Sequence, residues 1–118
     1  MAVLLLRYMP NQLDPVFHAL ADPTRRAVVE RLVDGPAAVG ELARPFDMAL
    51  PSFLQHLKVL ERSGLVRSEK AGRVRTVHLE AAALSAAGEW LAARRREWER
   101  RLDRLETFLE EMDDEGHE

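Results

Sequence analysis

Ser52, Gln55, His56, Lys58 and Arg62 recur at steps that a helix would bring to one side. Gln pairs bidentately with adenine, and Ser, His, Lys and Arg reach base edges or phosphates. A second cluster follows close behind. Lys70, Arg73 and Arg75 gather around the Ala71-Gly72 turn signal. Three cations at one turn suit phosphate or minor-groove contact, and they equally suit a plain solvated turn. His56 has two readings as well. It sits between Gln55 and the apolar Leu57, so it either joins the contact face or is a half-buried histidine that caps a helix bundle. Arg25 and Arg26 lie just after Asp22-Pro23, where cations oppose a helix dipole and need a partner, either a salt bridge or a phosphate.

Other chemistries find little support. The chain has no cysteine, so disulfides and thiolate metal sites are excluded, and a reducing cytoplasm is compatible. His18, His56, His78 and His117 show no short ligand spacing, and no metal or other cofactor is expected. There is no Gly-rich phosphate loop, and Ser52 and Ser63 lack a base at useful spacing, so no enzyme is expected. The run Arg94-Arg95-Arg96 with Trp90 and Trp98 hints at a membrane-surface helix. Glu89, Glu97, Glu99, Glu106 and Glu110 instead point to a salt-bridged solvent face, and no membrane partner is expected.

The elements that must position these residues are legible. Asp14-Pro15 and Asp22-Pro23 each offer an N-cap followed by a first-turn proline. The first opens a short helix with Val16, Phe17, Leu20 and Ala21. The second opens one with Val28, Val29, Leu32 and Val33, which Gly35-Pro36 stops. A third helix covers Val39 to about Phe46. After a tight Asp47-Met48-Ala49 connection, a fourth runs from Leu50 to Ser63, with Leu50, Phe53, Leu54, Leu57 and Leu60 toward a core and Gly64 as C-cap. Two helices joined by a short turn make a helix-turn-helix. Residues 65–70 and 73–79 read as a hairpin, which after a helix-turn-helix is a wing. From Ala81 to about Met112 a long helix carries an apolar stripe. The fold class is therefore mainly α with a small β-hairpin, a winged helix-turn-helix with a long C-terminal helix.

One domain accounts for the length of 118 residues, placed at 11–112. Residues 113–118 read as an acidic, fraying tail. Residues 1–10 read either as a disordered extension from Met1 or as the result of a start codon placed too early, with Met9 then the natural start. Their Ala2-Val3-Leu4-Leu5-Leu6 run is too short to span a bilayer and lacks the marks of a signal peptide. The net charge of −3 argues weakly against nucleic-acid binding, because its distribution is uneven. Residues 50–80 hold six basic groups against three acids, whereas residues 81–118 hold six against eleven.

Four segments together resemble the ArsR-type bacterial winged-helix repressors: 17–26 (FHALADPTRR), 39–43 (VGELA), 55–61 (QHLKVLE) and 63–66 (SGLV). The resemblance covers about residues 12–110. It implies a cytoplasmic homodimer that binds a palindromic operator in double-stranded DNA and represses transcription. It also implies dimerisation through the first and last helices, which places Val16, Phe17, Leu20, Leu84, Leu91, Trp98, Leu102, Leu105 and Leu109 at the interface. Many relatives carry Ser or Thr where this chain has Ala38 and Ala49. Metal-sensing members use cysteines in the third helix or His and carboxylate pairs in the last, and this chain has neither pattern. Its signal is then a small molecule of unknown identity or none at all. A winged-helix protein-interaction module with no DNA role is the competing reading, and the cationic wing with Gln55 and Lys58 argues against it.

Overall fold

A computed structural model describes residues 13–116 of the chain. The expected N-terminal extension, its two candidate start residues and His117 lie outside the described residues. The chain divides into two compact units, one ending at Ala87 and the other beginning at Gly88.

In the first unit, helix α1 (residues 13–20) is already formed at residue 13. Asp14 therefore lies inside the helix and is not its cap, because an N-cap residue must have non-helical backbone. Helix α2 (Pro23–Val33) starts where its signal lies. Asp22 is extended (φ −113°, ψ 134°) and its carboxylate accepts the Arg25 N–H at 3.0 Å. Val28, Val29 and Leu32 are buried, but Val33 is 64% exposed.

Helix α3 (Val39–Ala43) ends three residues before the expected Phe46. Pro45 has no N–H to give to a carbonyl four residues back, so the helix cannot extend. Phe46 falls in the connecting turn, residues 44–49, and stacks on Phe53 with ring centroids 5.7 Å apart. Helix α4 (Leu50–Ser63) has the expected bounds. Gly64 ends it in the left-handed region (φ 83°), which a residue with a side chain rarely adopts.

Phe53, Leu57 and Leu60 form the inner face of α4 and are at most 1% exposed. Leu50 and Leu54, expected to join them, are 54% and 36% exposed. Leu54 is one residue on from Phe53, roughly 100° around the helix, and falls on the solvent side.

The expected hairpin is part of a three-stranded antiparallel sheet. Strands β2 (Val66–Ala71) and β3 (Val74–Leu79) pair from Val66↔Leu79 to Ala71↔Val74. Gly72 in the turn takes φ 62°, the left-handed value a two-residue hairpin turn demands. The third strand, β1 (Ala37–Ala38), pairs with β3 through Ala37↔Val77 and Ala38↔Thr76, giving the order β1-β3-β2. Two alanines carry no strand pattern, so β1 exists because β3 offers it a partner. The core gathers Val16, Ala19, Val28, Leu32, Leu42, the inner face of α4, Leu65 and Val77. The opening of helix α5 (Ala81–Gly116) closes it with Ala83, Leu84 and buried Ala87.

The second unit is the rest of α5. It continues to Gly116, so residues 113–116 of the acidic tail are helical. Arg94 pairs with Glu97 and Arg95 with Glu99, each at 3.0 Å, and Arg94 lies 5.2 Å from the Trp90 ring centre.

Ala38 and Ala49 occupy the N-caps of α3 and α4 with extended backbone (φ −70°, ψ 150° and φ −65°, ψ 147°) and no side-chain cap bond. Pro51 has no N–H, so a serine at 49 would bond the N–H of Ser52. Ala49→Ser is expected to stabilise the fold by about 1 kcal/mol, which raises the melting temperature by about 4 °C. Thermal unfolding followed by circular dichroism measures this, and an unchanged or lower midpoint would contradict it.

Candidate nucleic-acid interface

Because α4 is held by one face, its opposite face is free. Ser52, Gln55, Lys58 and Arg62 lie along that free side at helical spacing, and all four are exposed. Leu50 and Leu54 share this surface. Such a helix has the width to enter a DNA major groove with polar groups leading.

His56 is placed differently. Its side chain is 23% exposed, and its Nδ1 lies 3.1 Å from Arg25 Nη1 and 3.7 Å from Asp22 Oδ2. It joins α4 to the cap of α2, so the geometry favours the bundle reading and removes His56 from the groove set. In the neutral ring Nδ1 can accept from Arg25, and in the protonated ring it faces the Asp22 carboxylate as a cation.

Arg25 also resolves the question raised by its position. Its Nε donates to the Ala19 carbonyl at 2.8 Å and its Nη2 to the His18 carbonyl at 3.2 Å. Arg26 Nη1 donates to the Leu20 carbonyl at 2.9 Å. Their partners are last-turn carbonyls of α1, where in-helix donors run out, and the His18 carbonyl also takes the Ala21 N–H at 3.2 Å. The cations also meet the negative end of the α1 dipole. Burial alone would raise the Asp22 pKa. The Arg25 N–H bond, with the charges of His56 and Arg25, outweighs this and holds the carboxyl below its ordinary value.

On the wing, Lys70 and Arg75 are directly opposed across the hairpin, and Arg73 follows Gly72 in the turn. Arg75 donates to Glu61 of α4, and the Ser68 hydroxyl donates to the same carboxylate. Glu61 thus ties the wing to α4, a role the sequence did not reveal, since nothing in it pairs position 61 with position 75. Arg67 is held by Glu69 and Glu80.

The cations of the first unit therefore fall into two groups. Arg25, Arg26, Arg31, Arg67 and Arg75 are each tied to a group of this chain. Lys58, Arg62, Lys70 and Arg73 have no side-chain partner among the described residues, and neither does Arg44 in the turn before α4. The sequence pattern puts Arg44 inside a longer α3, and only the end of that helix at Ala43 sets it in the turn before α4.

The expected interface residues also separate. Val16 is 3% exposed in the core of the first unit, so it offers no surface to a partner. Phe17, Leu20 and Leu84 are half-buried against that core. Leu91, Trp98, Leu102, Leu105 and Leu109 are 53–62% exposed. Among the described residues no three His, Asp or Glu side chains group as metal ligands, and no helix is long and apolar enough to cross a membrane.

Residues 20–69 match the family described as Helix-turn-helix domain. The transcriptional regulator Rv2034 of Mycobacterium tuberculosis is 51% identical over 73 residues, 62% of this chain and 68% of that protein. The crystal structure of the ArsR family transcriptional regulator RHA00566 superposes with a TM-score of 0.72 at 57% identity, covering 76% of this chain and 93% of the other. The chain belongs to the ArsR family. Its winged helix-turn-helix is shared with the homodimeric DNA-binding domain of Mb0332 from Mycobacterium bovis, at TM-score 0.59 and 27% identity over 80% of this chain and 85% of that one. Within this ArsR-family chain, the alanine N-caps and the absence of cysteine stand out.

The Asp22 contacts carry a pH consequence. A carboxyl whose pKa is depressed by folding contributes stability that is complete above its unfolded value and is lost as pH falls through the folded value. Asp22→Asn keeps a cap acceptor and loses the charge. It should destabilise the protein more at about pH 7 than at about pH 3. Urea midpoints at the two pH values test this, and an equal loss at both would show that the charge contributes nothing.

Proposed function

We propose that the protein is a homodimeric transcriptional repressor that reads a palindromic operator in double-stranded DNA. The observation that carries this reading is the row Ser52, Gln55, Lys58 and Arg62 on the free face of α4, with Lys70 and Arg73 on the wing. All are exposed and without side-chain partners among the described residues. Gln55 reads a base edge, while Lys58, Arg62, Arg44 and the wing cations hold phosphates. Arg75, bound to Glu61, orients the wing. A symmetric dimer presents two copies of α4 to half-sites one helical turn apart, about 10 bp. Occupancy of a promoter then excludes polymerase, and the protein acts where the DNA is, in the cytoplasm. Release follows from an effector that binds one dimer geometry better than the other. With no cysteine in the chain, that effector is not a thiolate-bound metal. No catalytic role is assigned.

Gln55→Ala should weaken binding to the operator by about 1–3 kcal/mol and leave binding to random duplex nearly unchanged. Arg73→Ala should weaken both alike and lower the salt slope by about one unit. Binding isotherms over a salt series on both DNAs measure these effects. Equal loss on all sequences for Gln55→Ala would show that it reads no base, and an absence of duplex binding at low salt would overturn the DNA reading.

A further inference from the structure

Two apolar side chains interrupt the polar outer surface of α4. Leu50 is 54% exposed and Leu54 36%, while Phe53, Leu57 and Leu60 are the buried residues of the helix. The two leucines are about one turn apart, and Lys58 and Glu61 continue their row at steps of four and three. Glu61 takes both Ser68 and Arg75, so this row is the flank of α4 that turns toward the wing. Gln55 follows Leu54 in the chain and lies about 100° further around the helix. An amide, a cation and two leucines therefore share one end of the exposed surface.

A single leucine in water is ordinary. These two lie within the surface assigned to DNA, and that limits what they can meet. Leucine neither donates nor accepts a hydrogen bond, so it has nothing to offer a phosphate. Against the major-groove edge of a G·C pair it would strip water from polar groups without replacing it, which is costly. The thymine C5-methyl is the one apolar group among the base-edge groups of the major groove. It stands at the side of the groove, next to its own strand's backbone, where a residue on the flank of an inserted helix arrives.

We infer that Leu54, together with Leu50, determines operator specificity by packing on thymine methyl groups, and so selects A·T pairs beside the base that Gln55 reads. The two leucines are about 6 Å apart along the helix axis, close to two base steps of about 3.4 Å, so each meets its own thymine. The inference rests on the DNA reading above and adds the chemistry by which the wing-side flank of α4 discriminates.

A duplex selected by the wild-type protein from a random library is synthesised in two forms, one with thymidine and one with deoxyuridine, which pairs alike but lacks the methyl. Binding isotherms of the full-length protein on both forms are measured at one salt concentration. Deoxyuridine is expected to weaken wild-type binding about fourfold for each methyl lost from contact. Leu50→Ala combined with Leu54→Ala, which retracts both side chains, should bind the two forms nearly alike. Equal wild-type affinity for both forms would overturn the inference without any variant. A double variant that keeps the wild-type ratio would also overturn it, because another group then reads the methyl. A wild-type protein that enriches no duplex and is not retained on DNA at low salt would overturn the DNA reading itself.

Discussion

Phe53, Leu57 and Leu60 are sealed from water against α2, the sheet and the turn before α4, and the position of every outward group on α4 is measured from that contact. Each such side chain contributes about 1.5–3 kcal/mol relative to an exposed one. The contact also fixes rotation. A helix buried by one row of side chains must present the opposite row to solvent, which is why Ser52, Gln55, Lys58 and Arg62 are all exposed together. Both ends of α4 are set by backbone chemistry, with Pro51 in its first turn and left-handed Gly64 just past its last.

Around this apolar contact the chain spends its inner cations on its own structure. Arg25 and Arg26 hold the last carbonyls of α1, and Asp22 and His56 meet Arg25 beneath α4. These groups fasten α1, α2 and α4 to one another and supply donors to the last carbonyls of α1. Glu61 does the equivalent work for the wing by taking both Ser68 and Arg75. The cations left over are those on the outer face of α4, at the hairpin tip and in the turn before α4. This division explains how an acidic protein offers a basic surface, since most of its acids lie beyond residue 80.

The second unit follows a different rule. Its helix is stabilised by pairs within itself, such as Arg94 with Glu97 and Arg95 with Glu99, but its apolar side stays in solvent. Ion pairs at these spacings contribute only a few tenths of a kcal/mol each. They keep the polar side soluble and leave the apolar stripe to define how the helix associates.

What the sequence determined by itself is whatever rests on local rules. The Asp22-Pro23 start, the Leu50 to Ser63 helix with its Gly64 stop, the hairpin around Gly72 and the apolar stripe of α5 are written in neighbouring residues, because caps, left-handed turns and helical periods act over a few positions. The row Ser52, Gln55, Lys58 and Arg62 was legible for the same reason. Tertiary structure decided the rest. β1 formed from two alanines because β3 offered an open edge. Leu50 and Leu54 turned outward because only the packed partner fixes where an apolar face ends. His56 turned inward because Arg25 and Asp22, more than thirty residues away, meet it there. Glu61 of α4 found Arg75 on the wing. These are contacts between residues far apart in the chain, and no local spacing encodes them.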